Sequence, residues 1–273
     1  MGKPDRLRLI TSPPITHHSN LMRELTLTAL PGMPEVTKGA PLAELVLAAL
    51  GRAGKALEPG DVLVLAQKIV SKAEGRTVRL ADVVPSARAL ELARTVEKDP
   101  RLIEVILRES REVLRATPGV LIVEHRLGLV MASAGVDQSN VAGNEETVLL
   151  LPDDPDASAR RIREDLRRAC GADPGIVIND SFGRAWRNGV TGFAIGVAGI
   201  SALVDLRGQV DRGGRALRVT QVAAADELAA AASLIMGQSA EGLPAVLVRG
   251  FPYERDGGSA AELIRPRAQD LFR

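Results

Sequence analysis

The sequence predicts an α+β fold, mixed α/β in character. Strand-length apolar runs and segments of helical spacing interleave along the whole chain. Apolar residues make up 45% of the 273 residues and aromatics only 2%, so the core must be aliphatic. No repeat, heptad or low-complexity segment stands in for ordinary tertiary packing.

Residues 1–21 carry Pro13, Pro14, His17, His18 and Asn20 without any period, and read as a flexible N-terminal extension. Residues 22–273 read as a single domain. A strand over 25–29 leads into Leu30-Pro31-Gly32-Met33-Pro34-Glu35-Val36. Two prolines around a glycine there set a defined turn and leave backbone groups free to face a ligand. Helical spacing over 41–51 starts at Pro41 and stops at Gly51. Residues 62–66 are continuously apolar, as in a strand buried on both faces, and run into Gln67-Lys68-Ile69-Val70-Ser71-Lys72.

The spacing predicts helices over 86–97 and 100–115, the first capped by Ser86 and the second by Asp99 with Pro100 at its first position. Strands follow over 120–123 and 127–132, joined by a turn at Glu124-His125-Arg126, which places His125 in a loop or at an edge. A short strand covers 147–151, and Asp154-Pro155 opens a helix to about Cys170. Its arginines read as the solvated face, and Cys170 as a small buried residue. Glycine and alanine dominate 191–203, which indicates close backbone packing or a ligand lying on the chain. Strands at 203–204 and 217–219 flank a turn at 211–214, an alanine-rich helix spans 226–236 and ends at Gly237, a strand covers 245–248, and residues 259–270 form a last short helix.

Composition excludes several classes of function. A net charge of +1 and scarce aromatics argue against a nucleic-acid partner, and no apolar run approaches the roughly 20 residues of a membrane span. One cysteine rules out an intramolecular disulfide and a cysteine-based zinc site. No apolar h-region opens the chain, so the expected location is the cytoplasm. Neither the dinucleotide fingerprint nor the P-loop pattern occurs, so any nucleotide is held by another device.

One stretch concentrates the chemistry: Val177-Ile178-Asn179-Asp180-Ser181-Phe182-Gly183-Arg184-Ala185-Trp186-Arg187-Asn188-Gly189. An apolar strand ends at Asp180 and Ser181, hard oxygen donors suited to Mg²⁺ or Mn²⁺. Gly183 then turns the backbone, and Arg184 and Arg187 are fork-shaped donors for phosphate or carboxylate. The same residues also fit a plain capped turn with two solvated arginines and a buried tryptophan. A second stretch, Ser133-Ala134-Gly135-Val136-Asp137-Gln138-Ser139-Asn140, likewise follows an apolar run and presents an aspartate. Two such strand ends could share metal ions, as phosphoryl-transfer sites do.

In combination the motifs resemble one family, the coenzyme F420-0:L-glutamate ligases, also called F420 γ-glutamyl ligases. The resemblance is carried in order by Gly32-Met33-Pro34-Glu35-Val36, by Lys68-Ile69-Val70-Ser71-Lys72-Ala73-Glu74-Gly75-Arg76, by Arg126-Leu127-Gly128-Leu129-Val130, by the two aspartate stretches, and by Val248-Arg249-Gly250. It implies an F420 γ-glutamyl ligase-like fold, an intertwined homodimer, and GTP-dependent addition of L-glutamate to coenzyme F420-0. It also implies two divalent cations, Mg²⁺ or Mn²⁺, with K⁺ as a further cation. By position, Asp137 and Asp180 look like ligands of one metal, and Ser181 and Gln238 of the second. Met33, Pro34, Glu35, Val36, Gln67, Lys72, Asn140 and Gln238 resemble the GTP contacts. Gln67 stands where members of the family carry serine, yet its amide can still hydrogen-bond. Charge alone assigns Arg184 and Arg187 a catalytic role beside the phosphates. Two other readings share these residues: a ligase of the same scaffold with another carboxylate or amino acid, and a non-catalytic GTP- or metal-binding protein.

Overall fold

A computed structural model describes residues 24–138, 146–253 and 257–271. The extension over 1–21 and the expected nucleotide contact Asn140 lie outside them. In chain order the elements are β1 (Thr26–Ala29), α1 (Leu42–Arg52), β2 (Val62–Ala66), α2 (Gln67–Glu74), β3 (Thr77–Arg79), α3 (Ala87–Val96), α4 (Pro100–Arg108), β4 (Ser110–Thr117), β5 (Val120–His125) and β6 (Val130–Ala132). There follow β7 (Thr147–Leu149), α5 (Pro155–Cys170), β8 (Gly175–Arg184), β9 (Arg187–Ala198), β10 (Val204–Asp205), β11 (Gln221–Val222), α6 (Ala224–Met236) and β12 (Ala245–Arg249). The fold is mixed α/β, as the interleaved pattern indicates. Among the described residues no helix is long and apolar enough to cross a membrane.

A five-stranded sheet in the order β1-β12-β2-β8-β9 forms the centre. Only β2 and β8 run parallel; every other neighbour is antiparallel. Residues 62–65 and 175–178 are fully covered, because helices pack on both faces of the sheet. One face carries α1, α2 and α5, with Leu50, Leu63, Leu166 and Ile176 in its core. The other carries α6, with Val64, Val177, Leu228 and Val246. A third apolar cluster joins α3 and α4 to the sheet β4-β5-β6.

Small residues in β9 meet the requirement for close packing. A Cβ on Gly192 would stand 2.4 Å from the Ala229 carbonyl oxygen of α6, and one on Gly196 would stand 2.5 Å from the Pro155 carbonyl oxygen of α5. The ladder slips between Ile178 and Asn179, and β9 is an edge strand. Two of its N–H groups are taken by aspartates instead: Ala194 donates to Asp226 at 2.9 Å and Val197 to Asp156 at 2.7 Å. Burial raises the Asp226 pKa against the effect of that hydrogen bond. Gly192→Ala is expected to destabilise the fold by about 1–3 kcal/mol, since backbone cannot yield as a flexible side chain can. A thermal melt checks this.

Several expectations are corrected. The helix from Pro100 ends at Arg108, and residues 110–117 form β4, because the Pro118-Gly119 turn (φ +78° at Gly119) returns the chain as β5. His125 belongs to β5 and is fully buried, not a loop or edge residue; the turn falls after it, at Gly128. β8 does not end at Asp180 or turn at Gly183. It runs on to Arg184 and reverses at Ala185 and Trp186, with φ +57° at Trp186. Trp186 is 78% exposed, not buried. Cys170 is exposed at the end of α5 and donates to the Leu166 carbonyl. The strand expected at 217–219 is instead β11 at 221–222, and the last helix is two 3₁₀ turns, at Ala260–Leu263 and Arg267–Gln269.

Candidate active site

Four segments distant in sequence meet in one open cleft of about 480 Å³, large enough for a small-molecule ligand. They are residues 33–36, the start of α2, the middle of β8, and the loop after α6. Three of the four have identifiable local anchors. Arg52 donates to the carbonyls of Pro31 and Gly32 at 3.3 and 2.8 Å, which holds the proline loop. The helix α2 starts directly off the buried strand β2, so Gln67 lies 3% exposed in the floor, accepting from Ser71 Oγ at 2.9 Å. Gly237 (φ +76°) ends α6, and Glu241 folds over it to accept from the Ser239 N–H.

Met33, Pro34, Glu35, Val36, Gln67, Lys72, Asp180, Ser181 and Gln238 all line this cleft. Ser181 Oγ donates to Gln238 Oε1 at 2.8 Å. Lys72 Nζ meets Glu35 Oε1 at 2.5 Å across it. Asp137 approaches from a separate element: its backbone bridges to Leu149, and its carboxylate meets Lys68 Nζ at 2.6 Å, Lys68 being a lining residue. Three successive left-handed residues, Ser133, Ala134 and Gly135, aim it there (φ 53°, 52° and 65°). Such backbone is unfavourable for the two non-glycine residues, and is the kind of local strain that clusters at functional sites.

Asp180 carries the most perturbed carboxyl of the cleft. Its pKa is raised from 3.8 to about 7, chiefly by desolvation; the Ser181 N–H opposes this, the charge of Asp137 adds to it, and Lys68 opposes it. Part of the Asp180 side chain reaches the cleft surface, yet protein surrounds it closely enough for burial to dominate.

Arg184 and Arg187 lie opposite one another at the tip of the β8–β9 hairpin, exposed, and outside the residues that line the cleft. Asn179 also lines the cleft and had no role assigned from sequence. For Asn179 the signal was there, a polar side chain ending a strand that is otherwise apolar from Ile176 to Ile178.

The donor set suits a hard divalent cation. Among the described residues no three of His, Cys, Asp or Glu converge, so no all-protein cage exists. What converges is oxygen: two carboxylates, a hydroxyl and amides, with no thiolate or imidazole. Asp137 and Asp180 would hold one ion, and Ser181 and Gln238 the other. A cation held by Asp180 would have to displace the proton that burial favours there. Mn²⁺ affinity at the aspartate pair is therefore expected to rise about tenfold per pH unit below about 7 and to level off above it. A flat profile, read by titrating Mn²⁺ at several pH values, would remove Asp180 from the binding step.

Residues 32–250 match the family described as F420-0:Gamma-glutamyl ligase. The coenzyme F420:L-glutamate ligase of Methanothermobacter thermautotrophicus is 46% identical over 251 residues, covering 91% of this chain and 99% of that protein. The enzyme of the same name from Methanopyrus kandleri is 45% identical over 253 residues, covering 91% and 98%. That of Methanocaldococcus jannaschii is 42% identical over 217 residues, covering 80% and 86%. With a family match over residues 32–250 and identity of this extent over most of its length, the chain belongs to the F420-0:gamma-glutamyl ligase family.

Proposed function

We propose that this protein is a GTP-dependent ligase that joins a carboxylate of coenzyme F420-0 to the amine of L-glutamate. The observation that supports it most is the convergence of residues 33–36, Lys72, Asp180, Ser181 and Gln238 on one cleft. A carboxylate does not condense with an amine unaided in water. The carboxylate oxygen of F420-0 attacks the γ-phosphorus of GTP, GDP leaves, and an acyl phosphate forms. The glutamate amine, having lost a proton, attacks the acyl carbon, and inorganic phosphate departs as the amide bond closes.

Such chemistry needs positioning and cancellation of negative charge more than a nucleophilic side chain. Divalent cations, when bound, supply charge neutralisation at the phosphate oxygens. Lys72, held by Glu35, presents an ammonium to the cleft. Gln67, Met33 and Pro34 border the same space as nucleotide contacts. Arg184 and Arg187 add fixed positive charge beyond the cleft, which attracts polyanionic substrates. Pairing of two copies belongs to the same reading: Trp186 and Val190 expose apolar surface on the hairpin.

The test is incubation of the protein with GTP, Mn²⁺, L-glutamate and F420-0. The expected result is F420-0 heavier by one glutamate residue, with equal yields of GDP and phosphate. Hydroxylamine in place of glutamate should trap a hydroxamate. Product formed with ATP but not GTP would overturn the nucleotide assignment, and GTP turnover without glutamylated product would overturn the acceptor.

A further inference from the structure

Asn179 stands in the floor of the cleft, 6% exposed, immediately before Asp180. Alternation along β8 puts it on the same face as Ser181. Its Nδ2 donates to Ser233 Oγ at 3.0 Å and to Met236 Sδ at 3.5 Å. Its Oδ1 is buried and has no partner. Turning the amide over does not help, because it exchanges an orphaned carbonyl for an orphaned NH₂. A buried polar atom in that state is unfavourable, and an apolar residue of the same shape would not carry the penalty. The three residues before it, Ile176 to Ile178, are apolar and fully buried. An acceptor left over in a ligand cleft points to a ligand.

The position identifies that ligand's chemistry. Ser181 Oγ and Gln238 Oε1 already stand together on this side of β8, beside the end of α6 that Asn179 touches. We propose that Asn179 Oδ1 is the third protein oxygen of a cation site that it shares with Ser181 and Gln238. This deepens the proposed function and rests on it. All three oxygens are neutral, unlike those of Asp137 and Asp180. A neutral trio holds a divalent ion weakly alone, and a nucleotide's phosphates supply the missing negative charge. The two sites therefore fill differently: the aspartate pair binds its cation unaided, and the Asn179 site binds only with nucleotide present.

Mn²⁺ titration followed by the electron paramagnetic resonance of the free ion tests this, with and without a non-hydrolysable GTP analogue. The wild-type protein should bind one Mn²⁺ alone and a second with the analogue. Asn179→Leu should keep the first and weaken the second by about 10–100-fold, with its unfolding midpoint unchanged or raised. A purely structural residue would instead lower the midpoint and leave Mn²⁺ untouched. Asn179→Asp adds charge and should make the second site at least tenfold tighter and detectable without the analogue; this variant decides alone if Asn179→Leu does not fold. Wild-type binding of the second Mn²⁺ in both variants overturns the assignment. So does weakened analogue affinity at unchanged Mn²⁺ stoichiometry, which would make Asn179 a nucleotide contact. A wild-type protein that binds no Mn²⁺ under either condition breaks the proposed cation centre as a whole, an outcome distinct from both.

Discussion

Asp180→Asn is expected to lower kcat/KM for glutamylation by about 10³-fold or more, the loss that follows when a cation worth several kcal/mol of transition-state stabilisation is no longer held. The same substitution is expected to stabilise the fold at neutral pH. In the native protein the Asp180 pKa is about 7 against 3.8 as its ordinary value, because burial opposes its charge. The native state thus holds a proton that the unfolded chain releases. Stability from this group is present below about pH 4 and is lost as pH rises through 7, by roughly 4 kcal/mol at about 1.4 kcal/mol per pKa unit. Asparagine keeps the shape and cannot ionise, so the midpoint of the variant should exceed that of the wild type above pH 7 and converge with it in acid. Thermal melts across pH in the absence of divalent cations measure the gap. Lost activity with a lower midpoint throughout would make Asp180 a structural residue.

Arg249→Met should have the largest effect on the fold, about 3–5 kcal/mol of destabilisation, because it strands a buried carboxylate. The Asp61 side chain is 1% exposed, and Arg249 grips both its oxygens at 2.8 Å from the end of β12. Arg249 also donates to the Ala56 carbonyl at 2.8 Å and pairs with Glu58. What remains for Asp61 in the variant is the Glu58 N–H at 2.7 Å. Urea unfolding reads the loss, and adding Asp61→Leu should recover much of it, since an apolar pair tolerates burial. A loss below 1 kcal/mol in the single variant would mean that water reaches Asp61.

How legible the chain was depended on whether local signals acted alone. Helix α5 was readable end to end: Asp154 caps it by accepting from the Ala157 N–H, Pro155 opens it, and Gly171 closes it in left-handed conformation. Residues 110–117 were not, because Val113 and Ala116 fit a helical stripe as well as a strand, and the pairing with β5 decides between them. The site divides in the same way. Side chains that line the cleft were named from motifs, but that residues 33–36 and Gln238 share one space is a product of tertiary folding. Arg184 and Arg187 were named from charge, which says nothing about where a hairpin ends. Nor can spacing show that one oxygen of Asn179 lacks a partner.

The last strand has a consequence for synthesis. β12 lies between β1 and β2, the first two strands among the described residues. Until residue 249 leaves the ribosome, β1 has no neighbour in the sheet, and the loop after α6 has no strand to anchor its far end. A nascent chain therefore cannot complete the central sheet, or anchor the far side of the cleft, before β12 has been made.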